Sequence, residues 1–128
     1  MKLMYDNPRS ALRQRTREFA DSVLEYTKSL SSDARGQIIE KQLVRSATSV
    51  GANYLEASNA RSRAEFVSKA TITLQEAEES RYWLVLSSRH ADGPPHESQR
   101  LEIEGHEIVK MLMASIRTAK NNQKKHDA

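Results

Sequence analysis

Apolar and small side chains recur at steps of four and three along nearly the whole chain, and little interrupts them. Leu12, Thr16, Phe19, Val23, Tyr26 and Leu30 follow one another at 4, 3, 4, 3, 4. That is the spacing of one helical face, not the strict alternation of a half-buried strand. Phe66, Ala70, Thr73, Ala77, Ser80 and Leu84 form a second stripe. Leu101, Gly105, Ile108, Leu112, Ser115/Ile116 and Ala119 form another. Four glycines and three prolines are all that punctuate 128 residues, too few for a sheet with many turns. With 38% hydrophobic and 29% charged residues, the chain suits helices with solvated outer faces.

Local signals divide the pattern into four helices of similar length. Asn7-Pro8 is a good N-cap followed by proline at the first helical position, so the first helix spans roughly 8–30. Ser32 or Asp33 caps the second, which runs over 33–58. Ser62-Arg63-Ala64-Glu65 fits a capping box and opens the third, 63–89. Gly93 offers a left-handed stop and Pro94-Pro95 prevents continuation. The fourth helix covers 96–120, and the polar, basic tail 121–128 is expected to be disordered. Short connections make sequential helices antiparallel neighbours. The reading is a single all-α domain over 1–128, an antiparallel up-down-up-down four-helix bundle.

The stretch Gln42–Ala57, QLVRSATSVGANYLEA, is the least ordinary part of that plan. Leu43, Ala47, Val50, Tyr54 and Ala57 line one face, while Ala47 and Gly51, four apart, leave a low ridge. A mid-helix glycine costs about 1 kcal/mol against alanine, so it points to close helix packing. Polar residues run beside this ridge. Arg45 is expected to pair with Glu79 or Glu76 across the second and third helices, with Asn53 and Glu56 in the same seam. A buried arginine would need such partners. Along the third helix the apolar arc is wide enough for two partners. Tyr82, Trp83 and Leu86 are therefore candidates for a subunit interface, the alternative being ordinary core.

Several chemistries find no support. The chain has no cysteine, hence no disulfide or thiolate site. Glu76-x-x-Glu79 and Glu104-x-x-Glu107 occur, but no histidine completes the Glu-x-x-His pattern of di-iron bundles. There is no Gly-x-Ser-x-Gly elbow and no phosphate-cradling glycine loop. The carboxylates Glu76, Glu78 and Glu79 are expected to serve cations, not acid–base catalysis. No metal, cofactor or enzymatic activity is expected. No apolar run approaches the roughly 20 residues of a membrane span. MKLMYDNPRS lacks a signal peptide's apolar region, so a cytoplasmic protein is expected.

Charge leaves one function open. The net charge is +3 and the pI about 9.3, which permits nucleic-acid binding without requiring it. Candidate phosphate contacts are Arg9, Arg13 and Arg17, spaced by four on the first helix, then Arg61, Arg63 and Lys69, then Arg117, Lys120, Lys124 and Lys125. The alternative for each is a solvated helix face. With sparse aromatics and no base-reading motif, binding to RNA or DNA would be phosphate-dominated.

Residues 41–84, KQLVRSATSVGANYLEASNARSRAEFVSKATITLQEAEESRYWL, resemble a bacterial four-helix-bundle family known from intervening sequences of 23S rRNA genes. The accessory protein of diversity-generating retroelements is similar. Ala47 stands where glycine is common in the family, and Val50 where isoleucine is common. The resemblance implies a ring-like homopentamer, whose five copies would carry 5 × 3 = +15. It also implies nucleic acid and a reverse transcriptase as partners. The competing expectation is a structural or adaptor oligomer with no nucleic-acid affinity.

Overall fold

The computed structural model describes the chain from Asn7 to Asp127, with side chains as far as Asn122. Four helices follow in order: α1 (Pro8–Thr27), α2 (Ala34–Ser58), α3 (Arg63–His90) and α4 (Pro95–Asp127). Each packs on its sequential neighbour, and α1 closes against α4, so the domain is an all-α four-helix bundle. Cross-helix partners show the antiparallel sense. On α2 and α3, Arg45 meets Glu76 and Glu79, whereas Glu56, further along α2, meets the earlier Lys69. On α3 and α4, Arg81 meets Glu102, and Arg63 donates to the Asn122 carbonyl at 3.2 Å.

The predicted caps form with local adjustments. The Asn7 side chain accepts the Arg9 amide at 2.9 Å, and Asp33, not Ser32, accepts that of Gly36 at 2.9 Å. Ser62 accepts the Glu65 amide at 3.0 Å, and the Glu65 carboxylate returns to the Arg61 amide at 3.1 Å.

Three boundary expectations need correction. First, α1 ends at Thr27 instead of residue 30. Thr27 and Ser29 turn their hydroxyls onto the carbonyls of Leu24 and Tyr26, and the chain tightens into three-residue bonds there. Second, α4 does not stop at 120; it continues to Asp127, where a disordered tail was expected. Nothing after Lys120 breaks a helix, and Gln123, Lys124 and Lys125 are good helix formers, the lysines also favoured near a helix C-terminus. Third, the left-handed residue after α3 is Asp92, at φ 57°, not Gly93. Gly93 serves space instead: a Cβ there would collide with the Tyr26 hydroxyl. That hydroxyl is bound to Ser87 at 2.7 Å, which ties α1 to α3 beside the connections.

The stripes converge as their spacing requires. Leu12, Thr16, Phe19, Val23 and Tyr26 are buried on α1, as are all six α3 stripe residues, and Leu43, Ala47, Val50, Tyr54 and Ala57 on α2. Helix α4 adds Leu101, Ile108 and Leu112. Small hydroxyl residues sit within this core without orphaning their polar atoms. The Ser80 hydroxyl lies 2.9 Å from its own-helix Glu76 carbonyl and 3.0 Å from the Ser46 hydroxyl on α2. Among the described residues no helix is long and apolar enough to cross a membrane.

Candidate nucleic-acid interface

An even number of antiparallel helices brings the start of α1, the α2–α3 turn and the end of α4 to the same end of the bundle. Those are the places where the candidate cations occur. Arg9, Arg13 and Arg17 lie on the first half of α1, Arg61 in the turn, Arg63 and Lys69 on the first turns of α3, and Arg117 and Lys120 late on α4. Lys124 and Lys125 belong to the last turns of α4, their side chains outside the described residues. Positions scattered over 117 residues of sequence thus fall in one half of the bundle, with Arg17 nearest its middle.

Three other arginines are tied up by carboxylates. Arg15 is neutralised by Glu104 at 2.6 Å, Arg81 by Glu78 and Glu102 at 2.7 Å each, and Arg45 by Glu76 and Glu79. At the basic end, among the described residues, Lys69 alone of the candidates is in a salt bridge, to Glu56 at 2.7 Å, and that hydrogen bond raises its ammonium pKa. Arg13 donates to a neutral partner, the Ser58 hydroxyl, at 3.0 Å. Arg9 lies over the Phe66 ring with its guanidinium carbon 4.4 Å from the centroid, a cation–π contact that keeps its charge. Arg17, Arg61, Arg117 and Lys120 have no carboxylate within 4 Å among the described residues, and all are exposed.

Beneath the arginines, Tyr54 is fully buried, edge-on to Phe66 at 6.5 Å. Its hydroxyl has no hydrogen-bond partner among the described residues, and burial pushes its pKa up to about 12.

The polar seam is shallower than a buried arginine would make it. Arg45 does bridge to Glu76 and Glu79, but its side chain is 48% exposed. Its aliphatic stem lies along the α2–α3 surface, and the guanidinium stays in solvent reach. Asn53 does not join this network; it binds the Ser49 hydroxyl and carbonyl one turn back, at 2.7 and 3.0 Å. Glu56 forms a second cross-link with Lys69. Ala47 is core, and Gly51 faces α1: a Cβ there would stand 3.5 Å from the Thr16 carbonyl and 3.6 Å from the Ala20 Cβ.

Away from the basic end, the aromatic candidates reach the surface. Tyr82 is 57% exposed and stacks edge-on with the half-buried Trp83, and Leu86 is also half-buried. Ile38, 61% exposed, lies seven residues before Arg45, while Leu86 lies seven after Glu79. Two helical turns return each to the face of its ion-pair neighbour, so Ile38 and Leu86 extend the Arg45–Glu79 line towards the connections. Sequence reading identified Trp83 and its neighbours on α3 but not Ile38, whose relation to them appears only once the helix register is known.

The chain is similar in fold and sequence to the crystal structure of a protein of unknown function from the S23 ribosomal protein family of Bacteroides thetaiotaomicron. The two share 33% identity at a TM-score of 0.79, over 87% of this chain and 99% of that one. No curated protein matches the chain. The 23S rRNA-intervening sequence protein profile matches residues 9–114. That match takes in the α1 arginines, the central stretch of α2, all of α3 and most of α4, and the chain belongs to the 23S rRNA-intervening sequence protein family.

Proposed function

We propose that the protein is a non-enzymatic homo-oligomer that binds RNA or DNA through phosphate contacts at its basic end, or docks there a nucleic-acid-processing protein such as a reverse transcriptase. The observation that carries this reading is the gathering of exposed cations towards one end of the bundle. Arg17, Arg61, Arg117 and Lys120 stand exposed without a carboxylate partner among the described residues, as do Arg35, Lys41, Arg89 and Arg100 elsewhere, so it is the clustering of the former with Arg9, Arg13 and Arg63 that marks this end. Unpaired surface cations gathered at one end attract a polyanion and release its counterions on contact. The contacts would be to backbone phosphate, so sequence preference would be weak.

Assembly is the second half of the proposal. The patch of Ile38, Tyr82, Trp83 and Leu86 is apolar and aromatic-rich, the composition of an interface centre. It lies towards the connections, so copies joined through it would leave their basic ends free. A homopentamer, as the family resemblance implies, would repeat the basic end five times, and phosphate contacts would add across copies. A cytoplasmic setting, with nucleic acid at hand, fits this role.

The deciding experiment is retention of RNA and DNA over a salt titration, with particle mass measured by light scattering in the same buffers. Retention that falls linearly in log salt supports the proposal. An oligomer that retains neither nucleic acid at low salt overturns the nucleic-acid half and leaves a structural or adaptor oligomer.

A further inference from the structure

One polar atom beneath the basic end has been left without a partner. Tyr54 is 0% exposed, and its hydroxyl accepts and donates no hydrogen bond among the described residues. No other buried side-chain nitrogen or oxygen among them is in this position. Phenylalanine would fill the same space, and a buried hydroxyl without a partner is costly to keep. Ser58, one turn on along α2, is already occupied. Its hydroxyl donates to the Leu55 carbonyl at 2.8 Å and accepts the Arg13 Nε–H at 3.0 Å.

The surroundings of this hydroxyl are cationic. Arg9 and Arg13, one turn apart on α1, are the charged groups that act on it, and both favour negative charge there. Their donors are largely free. Arg13 uses Nε on Ser58, and neither of its Nη groups has a partner among the described residues. Arg9 lies over the face of Phe66, a contact that takes up none of its N–H groups. Phe66 in turn stands edge-on to Tyr54, so ring contacts lead from Arg9 to Tyr54 as Ser58 leads from Arg13 to the same turn of α2. Neither arginine is in a salt bridge among the described residues.

We propose that Arg9, Arg13 and Tyr54 form a site for a phosphomonoester, whether the terminal phosphate of a nucleic-acid strand or free phosphate. The inference rests on the phosphate-binding reading of the basic end and narrows it to one site. A monoester carries close to two negative charges at neutral pH and has three free oxygens, which suit two guanidinium groups and one hydroxyl donor. A diester inside a strand has one charge and two free oxygens, and the nucleotides on either side hold it away from a recessed atom. Access runs past Arg9. Its side chain is exposed and its ring contact weak, so it swings aside and carries the phosphate onto the hydroxyl.

The test follows the melting temperature as inorganic phosphate replaces chloride at constant ionic strength and about pH 7.5, above the second phosphate ionisation near 6. The rise gives a dissociation constant. Tyr54→Phe removes a single oxygen and is expected to bind phosphate about ten-fold more weakly, with a loss at least as large for Arg9→Gln with Arg13→Gln. Arg89→Gln removes an exposed cation at the far end of α3 and should match the parent. A parent that phosphate does not stabilise overturns the proposal, and so does a Tyr54→Phe protein with the parent's phosphate affinity. Oligonucleotides of one sequence with a 5′-phosphate or a 5′-hydroxyl then separate the sources. Tighter retention of the phosphorylated strand by the parent, lost in Tyr54→Phe, assigns the site to strand ends. Equal retention of both strands beside an intact phosphate response assigns it to free phosphate. Retention of both strands with no phosphate response would keep the nucleic-acid reading and remove this site.

Discussion

Trp83 donates its indole N–H to the Glu79 carboxylate at 2.9 Å, one turn earlier on α3, and the same oxygen accepts Arg45 from α2. The aromatic patch and the charged seam are therefore one construction. Glu79 fixes both the indole orientation and the α2–α3 register, so its loss is expected to disturb both.

The seam itself should be worth little. A half-exposed pair typically contributes about 0.2–1 kcal/mol, well below the 3–5 kcal/mol lost when one partner of a buried pair is removed. In urea melts, a double-mutant cycle of Arg45→Met and Glu79→Gln is expected to give about 0.5–1 kcal/mol of coupling, with a smaller coupling to Glu76. Zero coupling at both positions would refute the cross-link. Trp83 emission should shift in Glu79→Gln, because the indole loses its acceptor.

Trp83→Glu places a charge in the proposed assembly surface. The expected outcome is a lower particle mass with unchanged far-UV circular dichroism and weaker nucleic-acid retention in the same sample. Unchanged mass would remove this face from the assembly.

Arg17→Gln with Arg117→Gln removes two exposed cations that have no carboxylate neighbour among the described residues. Mass and melting should stay the same. If both contact phosphate, the log–log salt slope should fall by about 1.4–1.8 per site, from roughly 0.7–0.9 per phosphate contact for single and double strands. Arg15→Gln with Lys110→Gln is the matched control, because both cations already sit on carboxylates.

Gly51 faces α1 with room for one methyl group but no more, since its would-be Cβ makes ordinary contacts at 3.5 and 3.6 Å. Gly51→Ala should raise stability by up to about 1 kcal/mol through helix propensity, an increase of roughly 3–6 °C in Tm for a domain of this size. Gly51→Leu should destabilise by about 1–3 kcal/mol or more as α1 is pushed away. A Gly51→Leu protein that melts like the parent would mean the helices separate there at no cost.

Tyr54→Phe deletes a buried hydroxyl that has no partner among the described residues, so it should be neutral or stabilising by about 1 kcal/mol. The folded pKa, pushed up to about 12, exceeds the ordinary 10. The linked stability is complete below pH 10 and is lost as pH rises towards 12, because the unfolded tyrosine ionises first. Denaturant melts over that window should fall less steeply in Tyr54→Phe. An identical alkaline slope would show that Tyr54 is not the group responsible.

Much of this fold was legible because its determinants are local. The steps of four and three along α1 and α3, Asn7-Pro8 and the Ser62 cap each act within a turn or two. Arg45 could also be matched to Glu76 and Glu79, since one extra cation beside two carboxylates has few alternatives. What escaped reading depended on register between helices. Ser58 as partner of Arg13, Glu104 as partner of Arg15, and Ile38 on the face of the aromatic patch follow only when antiparallel helices are aligned to within a turn. The α4 overrun was missed because a polar, basic composition suits a disordered tail and a solvated helical end equally. Asn53 was misassigned because asparagine binds its own helix more readily than a distant partner.

The shared placement of α1's start and α4's finish has a practical consequence at the bench. A purification tag fused at either terminus emerges beside the unpaired arginines, where a polyhistidine or acidic extension would compete with a polyanion or shield it. The opposite end offers no easy alternative, since the connection at 91–94 is packed against Tyr26 and the proposed assembly patch lies beside it. Weak or absent retention by a terminally tagged protein would thus report the tag as much as the molecule, and a tag-free preparation is the sample whose failure to bind would count.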